Sequence, residues 1–390
     1  MNKKINVKLA SVQFFLMAAY ASYFNFFILF LSEQGYSKFE CGIIQACIAI
    51  VSFIYQPILG YITDHYFSYK KSVLLSIGCV LILAVCIPSV ASILFLLGLF
   101  VVIHAATTRQ LPVLLDGWIV SIRNKHPEVD YENTRGIGSI GAGIASIVMG
   151  VVIGYLGYDK VFYFNALLMS LAGILLVTLE DINDEYKQEA KKIPLKGTIN
   201  HLVTNKTYMC FMVSAFFLNV GIKMVNTFGP IMMQEVGGNS VYYGYVMFIC
   251  GIVEAATFAL VGKMLMKRSL EYIYIWAVIS LGVGSICIFM VHNLVLFIIG
   301  RVIMGATYAI YTVMALSYVN KVIAPYLKAT AMGVLVAGTG GIAQILSSLC
   351  GGYILEYFNM TQVTYVMIGL IILTTVTFIP NLLKEKRTTQ

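Results

Sequence analysis

Twelve runs of about twenty mostly apolar residues, separated by short polar or glycine-rich breaks, constrain this 390-residue chain more than any other feature. Crossing a hydrocarbon core of ~30 Å takes ~20 apolar residues in a helix. A backbone inside lipid must satisfy its own hydrogen bonds, so each run is expected to be helical. The runs fall at 9–31, 41–63, 72–91, 93–120, 135–156, 161–179, 208–234, 243–266, 272–291, 294–320, 329–355 and 361–382. Composition agrees: 59% of the residues are hydrophobic and 11% charged, where soluble domains carry roughly a quarter charged residues. The expectation is an all-α, polytopic membrane protein whose surrounding partner is the lipid bilayer. The run at 9–31 is too long for a signal-peptide core and has no small-residue cleavage site, so it reads as the first spanning helix.

Charge placement sets the topology. With both termini cytoplasmic, 20 of the 26 lysines and arginines fall on the inner face, counting Lys263 at the inner end of its run, 2 (Lys38, Lys160) on the outer, and 4 others (Arg109, Arg135, Lys223, Arg301) within spans. That asymmetry is a strong positive-inside signal. It also explains the net charge of +8 without invoking nucleic acid. Localisation in the cell's inner membrane, both ends inside, is expected. The eight cysteines all lie in apolar runs without paired spacing, which predicts packing residues rather than a metal or disulfide framework. No Walker phosphate loop or metal-ligand cluster is present in the sequence, so no cofactor and no enzyme chemistry are expected.

The chain divides into 1–180, a polar stretch at 181–206 read as a cytoplasmic linker, and 207–390. The outer pieces repeat one another. GIASIVMGVVIGY (143–155) matches GIAQILSSLCGGY (341–353), and FNFFILFLSEQGYSKFECG (24–42) shares Phe, Glu and Gly positions with NTFGPIMMQEVGGNSVYYG (226–244). Two parallel repeats predict two six-helix bundles related by a pseudo-two-fold axis, the architecture of many secondary transporters. The small residues in the matched helices suit close helix crossing.

Charges inside the spans are the candidate functional groups, because each is costly in lipid unless paired or facing water. Asp116 and Arg135 sit at two apolar borders joined by a basic loop, and are expected to pair and to anchor a solute. A buried structural pair is the alternative. Glu254 is the only other carboxylate inside a span; it reads either as a proton carrier or as an ion-pair partner of Lys223 or Arg301. Four intramembrane cations against two carboxylates favour a solute with an anionic or strongly hydrogen-accepting group. The amides Asn25, Gln45, Asn219 and Asn226, with Tyr20, Tyr23 and Tyr308, are further cavity candidates; each amide can equally bond between helices.

After the second run, Gly60-Tyr-Ile-Thr-Asp64-His-Tyr-Phe-Ser-Tyr-Lys70-Lys71 resembles the loop signature of the major facilitator superfamily. It keeps the Gly, the Asp and the closing basic pair, and those four residues are expected to gate. Residues 19–64, with Pro112, Asp116, Asp130-Tyr131, Arg135 and Gly138-Ser139, resemble the lactose permease and phenylpropionate permease branch. The resemblance implies the major facilitator fold and makes Asp116 and Arg135 the sugar-contacting pair. It departs where Ala142 stands at the aromatic platform, and where Arg301, Met304 and Thr307 occupy the positions of the proton-coupling cluster in the tenth helix.

The expected function is secondary active transport of a small polar organic solute by alternating access, with proton symport. A sugar or glycoside-like solute comes first, an aromatic acid or nucleoside next. Solute contacts are expected from Asp116, Arg135, Asn25, Gln45, Lys223, Asn226 and Arg301, proton coupling from Glu254 and Asp116, and a monomeric state. The rival readings are a proton-coupled drug or metabolite exporter, and a membrane sensor or scaffold that does not transport.

Overall fold

The computed structural model describes residues 2–179, 202–290, 293–324 and 327–388. Most of the expected linker (residues 181–201 of 181–206) therefore lies outside the described residues. The described elements are helices α1 (Asn2–Phe24), α2 (Phe27–Glu33), α3 (Lys38–His65), α4 (Tyr69–Ser89), α5 (Leu94–Lys125), α6 (Tyr131–Leu156), α7 (Lys160–Val177), α8 (Lys206–Glu235), α9 (Ser240–Met264), α10 (Leu270–Phe289), α11 (Leu294–Val322), α12 (Lys328–Val336), α13 (Ala343–Tyr357) and α14 (Met360–Thr388). They form twelve spans, of which two are composite: α1 with α2, and α12 with α13. Large apolar side chains such as Ile82, Phe95 and Ile174 point outward from these helices, which suits lipid and not water.

Both composite spans break for local reasons. Phe26 leaves helical geometry (φ −130°, ψ −18°) between α1 and α2, while Asn25 beside it donates from Nδ2 to Ser146 Oγ of α6 at 2.9 Å. Between α12 and α13, Ala337–Ile342 (AGTGGI) form a π-helical turn. The wider turn advances the register of α13, and single π turns of this kind are frequent at functional sites. Thr339 within it accepts a hydrogen bond from Tyr311 of α11 at 2.7 Å.

Short polar residues start several helices by capping their first N–H groups, as the missing intrahelical acceptors require: Ser68 for α4, Asp130 for α6, Asn205 for α8, Ser269 for α10 and Asn293 for α11. Asp130 starts α6 four residues before the apolar run at Arg135, so Arg135 sits inside the first turns of a helix rather than in a loop.

The chain separates into two compact units. Unit 1 comprises Met1–Ser37, Cys47–Glu189 and Gly238–Phe248; unit 2 comprises Lys38–Ala46, Ala190–Gly237 and Ile249–Gln390. The core of unit 1 is aliphatic around Leu9, Val12, Leu16, Ile77, Leu115 and Trp118. Toward α7 it becomes aromatic, with Tyr23 stacked on Phe27 (4.9 Å) and Phe30 edge-on to Phe162 (4.9 Å). In unit 2, Phe211, Tyr274, Tyr318 and Phe378 form the equivalent nest, and Ser214 bridges Tyr274 to the Thr374 carbonyl.

Glycines set the closest approaches, because a Cβ would collide with backbone there. In unit 1 a Cβ on Gly244, at the start of α9, would lie 2.5 Å from the Ser146 carbonyl oxygen of α6; one on Gly150 would lie 2.5 Å from that of Ser240. In unit 2 a Cβ on Gly42, at the start of α3, would lie 2.4 Å from the Ser348 carbonyl oxygen of α13. The two repeated sequence pairs thus supply both faces of these contacts. Beside the second contact, Lys38 pairs with Glu235 through its Nζ, and its backbone N–H donates to Glu356 Oε2 at 2.9 Å.

Candidate functional site

Unit 1 brings Asp116 and Arg135 together. Asp116 lies seven residues before Arg123, the cationic end of its span, which is about 10 Å along α5. Its Oδ2 stands 3.5 Å from Arg135 Nε, and both side chains are about a third exposed. This is a single-point pair, not the bidentate fork that carboxylate and guanidinium form when fully closed. Exposure discounts its contribution to stability. The other carboxylate oxygen, Oδ1, accepts from Gln13 Nε2 of α1 at 2.9 Å, and Tyr131 of α6 also hydrogen-bonds to Asp116. Arg135 Nη1 reaches Ser139 Oγ at 3.5 Å, one turn along α6. Deeper in the same unit, the Arg109 guanidinium lies over the Phe24 ring at 5.4 Å, with Tyr20 against the other partner of that stack at 4.5 Å.

Unit 2 assembles a second polar cluster. Arg301 of α11 is buried, with 3% of its surface exposed, and its Nη1 donates to Asn226 Oδ1 at 2.8 Å. Asn226 itself is exposed, nine residues from the end of α8 at Glu235. An exposed amide about 13 Å inside a spanning helix, backed by a buried guanidinium, is what a water-filled cavity requires and lipid does not tolerate. One turn earlier on α8, Lys223 Nζ reaches Gln344 Oε1 at 3.5 Å. Gln344 in turn donates to Thr227 Oγ1 (3.0 Å) and Ser348 Oγ (3.1 Å). The π turn immediately before α13 sets the register that presents Gln344 to α8. On the opposite side, Cys250 Sγ of α9 contacts the Arg301 carbonyl at 3.5 Å. Glu254 lies one turn further along α9 from Cys250.

The structure therefore joins Asp116 to Arg135 and Arg301 to Asn226, with Lys223 one turn away on α8 and Glu254 one turn beyond Cys250 on α9. Asn25 spends its amide on Ser146. Gln45 is buried on α3, and no described contact links it to either cluster. Asn219 donates to the Ala215 carbonyl of its own helix at 2.8 Å, and Tyr23 is fully enclosed by Phe27, His104 and Phe162. Of the gating candidates, Lys70 binds the carbonyls of Val177 (3.2 Å) and Leu179, so it caps the end of α7. Lys71 donates its backbone N–H to the Ser68 cap at 3.3 Å. Gly60 has open space around it. Asp64 lies in α3, and its side chain is outside the described residues. Sequence reasoning missed Gln13, Thr227 and Gln344; an uncharged polar residue in an apolar run was the available signal for each. Among the described residues no group of acidic, histidine and cysteine side chains is arranged to hold a metal.

Twelve spanning helices among the described residues, with an internal repeat and buried polar clusters, define a polytopic membrane protein of two-repeat architecture. The model of the MFS_1 like family matches residues 6–367, so the chain belongs to that family of the major facilitator superfamily. It is 24% identical over 351 residues to the uncharacterized transporter YwbF of Bacillus subtilis (strain 168), covering 87% of this chain and 83% of the relative. It is 24% identical over 371 residues to YegT of Escherichia coli (strain K12), whose name assigns it provisionally to nucleoside transport, covering 90% and 85%. Among solved structures, the nucleoside transporter NupG superposes with a TM-score of 0.81 at 18% identity over 97% of this chain and 98% of that one. A D-xylose-proton symporter superposes with a TM-score of 0.72 at 13% identity, over 96% and 97%. The expectations of an all-α major facilitator fold and of a non-enzymatic transporter are borne out.

Proposed function

We propose that this transporter carries a neutral solute bearing both hydroxyls and carbonyl acceptors, a nucleoside before a simple glycoside, by alternating access with proton symport. The carrying observation is the exposed Asn226 amide backed by the buried Arg301. Guanidinium and amide N–H groups in a low-dielectric cavity suit the carbonyl edge of a base, and a partly exposed carboxylate such as Asp116 suits vicinal hydroxyls. The fold shared with NupG and the kinship with YegT support the nucleoside choice over the sugar that the first reading preferred. A glycoside remains the second reading, favoured by the Asp116–Arg135 pair that resembles the sugar-contacting pair of the lactose permease branch. Glu254 is the proposed proton carrier, because it is a carboxylate inside a span, one turn from Cys250, whose thiol meets the Arg301 carbonyl. The orientation follows the positive-inside count, with both termini in the cytoplasm of a cell whose inner membrane holds the protein as a monomer.

The test is counterflow in proteoliposomes loaded with uridine, adenosine, lactose, xylose or cinnamate. Exchange of labelled nucleoside, abolished by Arg301→Met, supports the reading. Exchange confined to lactose or xylose selects the glycoside reading, and exchange confined to cinnamate rejects both.

A further inference from the structure

We propose that Gln13 is a positioning residue that holds Asp116 in place and keeps it from closing fully onto Arg135, an inference that rests on reading those two charges as solute contacts. Gln13 lies in the apolar run of α1 and is 0% exposed. Its Nε2 donates to Asp116 Oδ1 at 2.9 Å, while its own Oε1 is buried without a hydrogen-bond partner. A buried amide with one orphaned oxygen is a net burden on stability, which a methionine of similar shape would relieve. Packing therefore does not account for glutamine here, and its one bond leads to Asp116.

The consequence is visible in the ion pair. A carboxylate and a guanidinium left to themselves approach as a two-bond fork at ~2.8 Å. Here one carboxylate oxygen is committed to Gln13, and the other comes no closer to Arg135 than 3.5 Å, at Nε. The Nη edge is left to Ser139 at 3.5 Å and to the exposed side of the pair. The other groups facing Asp116 are Tyr131 from α6, which hydrogen-bonds to it, and Tyr69 from α4, whose ring covers the adjacent Gly117. Arg135 is the cation that acts on the carboxylate among the described residues. Gln13 keeps the pair open, so that a solute meets a guanidinium edge and a carboxylate already oriented for it.

The register of α6 protects this arrangement. A Cβ on Gly138 would lie 2.7 Å from Gln13 Cγ and 3.3 Å from its carbonyl oxygen, so only glycine lets α6 pass without displacing the amide. Asparagine at position 13 would be one methylene too short to reach Oδ1, and glutamate would set a second carboxylate against the first.

The test is a double-mutant cycle of Gln13→Met with Asp116→Asn, read as uridine affinity by counterflow KM and by calorimetry, alongside Tm in detergent. Gln13→Met is expected to weaken affinity about tenfold, with maximal exchange rate retained and Tm unchanged or raised. In the Asp116→Asn background it is expected to add less than about twofold, since its action runs through the carboxylate. Gly138→Ala, which displaces Gln13 without removing it, is expected to give a smaller loss of affinity in the same direction. Equal losses from Gln13→Met in both backgrounds, or a fall in Tm that tracks the fall in affinity, would show a structural role and overturn the proposal. Parental affinity in Gln13→Met alongside weakened affinity in Asp116→Asn overturns it while leaving the solute site standing. Parental affinity in Asp116→Asn removes the site reading and the proposal with it.

Discussion

Gly42 offers the sharpest perturbation, because its neighbours are backbone atoms that cannot rotate aside. A Cβ there would lie 2.4 Å from the Ser348 carbonyl oxygen and 3.2 Å from Gly352 Cα. Ordinary contact begins near 3.4 Å, so Gly42→Ala requires the start of α3 and the middle of α13 to part by about 1 Å. Overpacking of this kind costs ~1–3 kcal/mol, which depopulates the packed arrangement roughly 5- to 150-fold relative to any state in which these helices are apart. Neighbouring Cys41 is a built-in reporter, a free thiol with 0% exposure. In a variant retaining only Cys41, maleimide labelling is expected to be slow in the parent and at least severalfold faster in Gly42→Ala. Counterflow is expected to slow while solute affinity is retained. Gly60→Ala is the control, since nothing lies within 4 Å of its added Cβ. Cys41 reactivity and transport indistinguishable between Gly42→Ala and Gly60→Ala would refute the reasoning that this close approach controls access to Cys41 and the rate of exchange.

Three further outcomes are expected. Arg301→Met removes the 2.8 Å donor to the exposed Asn226 amide, which cavity water can replace, so Tm should change little while solute affinity falls at least about tenfold, read by Tm and calorimetry. His104→Phe should lower Tm, because the buried imidazole inside the Tyr23 and Phe162 nest has Asn165 as its hydrogen-bonding neighbour and the substitution strands that buried amide. Lys70→Met should cost ~1 kcal/mol through lost capping of the α7 carbonyls. If capping is the whole role of Lys70, exchange rates per folded molecule stay parental; a selective loss of exchange returns it to gating.

The spans were legible because lipid imposes one simple condition on length and composition. The Asp116–Arg135 pair was legible because charges that border apolar runs must find partners. The repeat announced more than symmetry: its matched glycines, Gly42 and Gly244, are the two closest helix approaches. What stayed hidden depends on tertiary register. Neither the break at Asn25 nor the π turn at Ala337–Ile342 follows from propensity. Gln13 and Gln344 read as interhelical packing until their partners are known. Lys70 closes a motif that suggests gating, and the motif does not reveal that its ammonium group also caps a neighbouring helix.

The most direct measurement is nucleoside-driven proton movement into proteoliposomes, comparing the parent with Glu254→Gln. The account predicts that uridine acidifies the lumen with the parent, and that Glu254→Gln loses this movement and uphill uptake while keeping uridine counterflow. Proton movement undiminished in Glu254→Gln, or uridine counterflow by the parent with no proton movement, would contradict it.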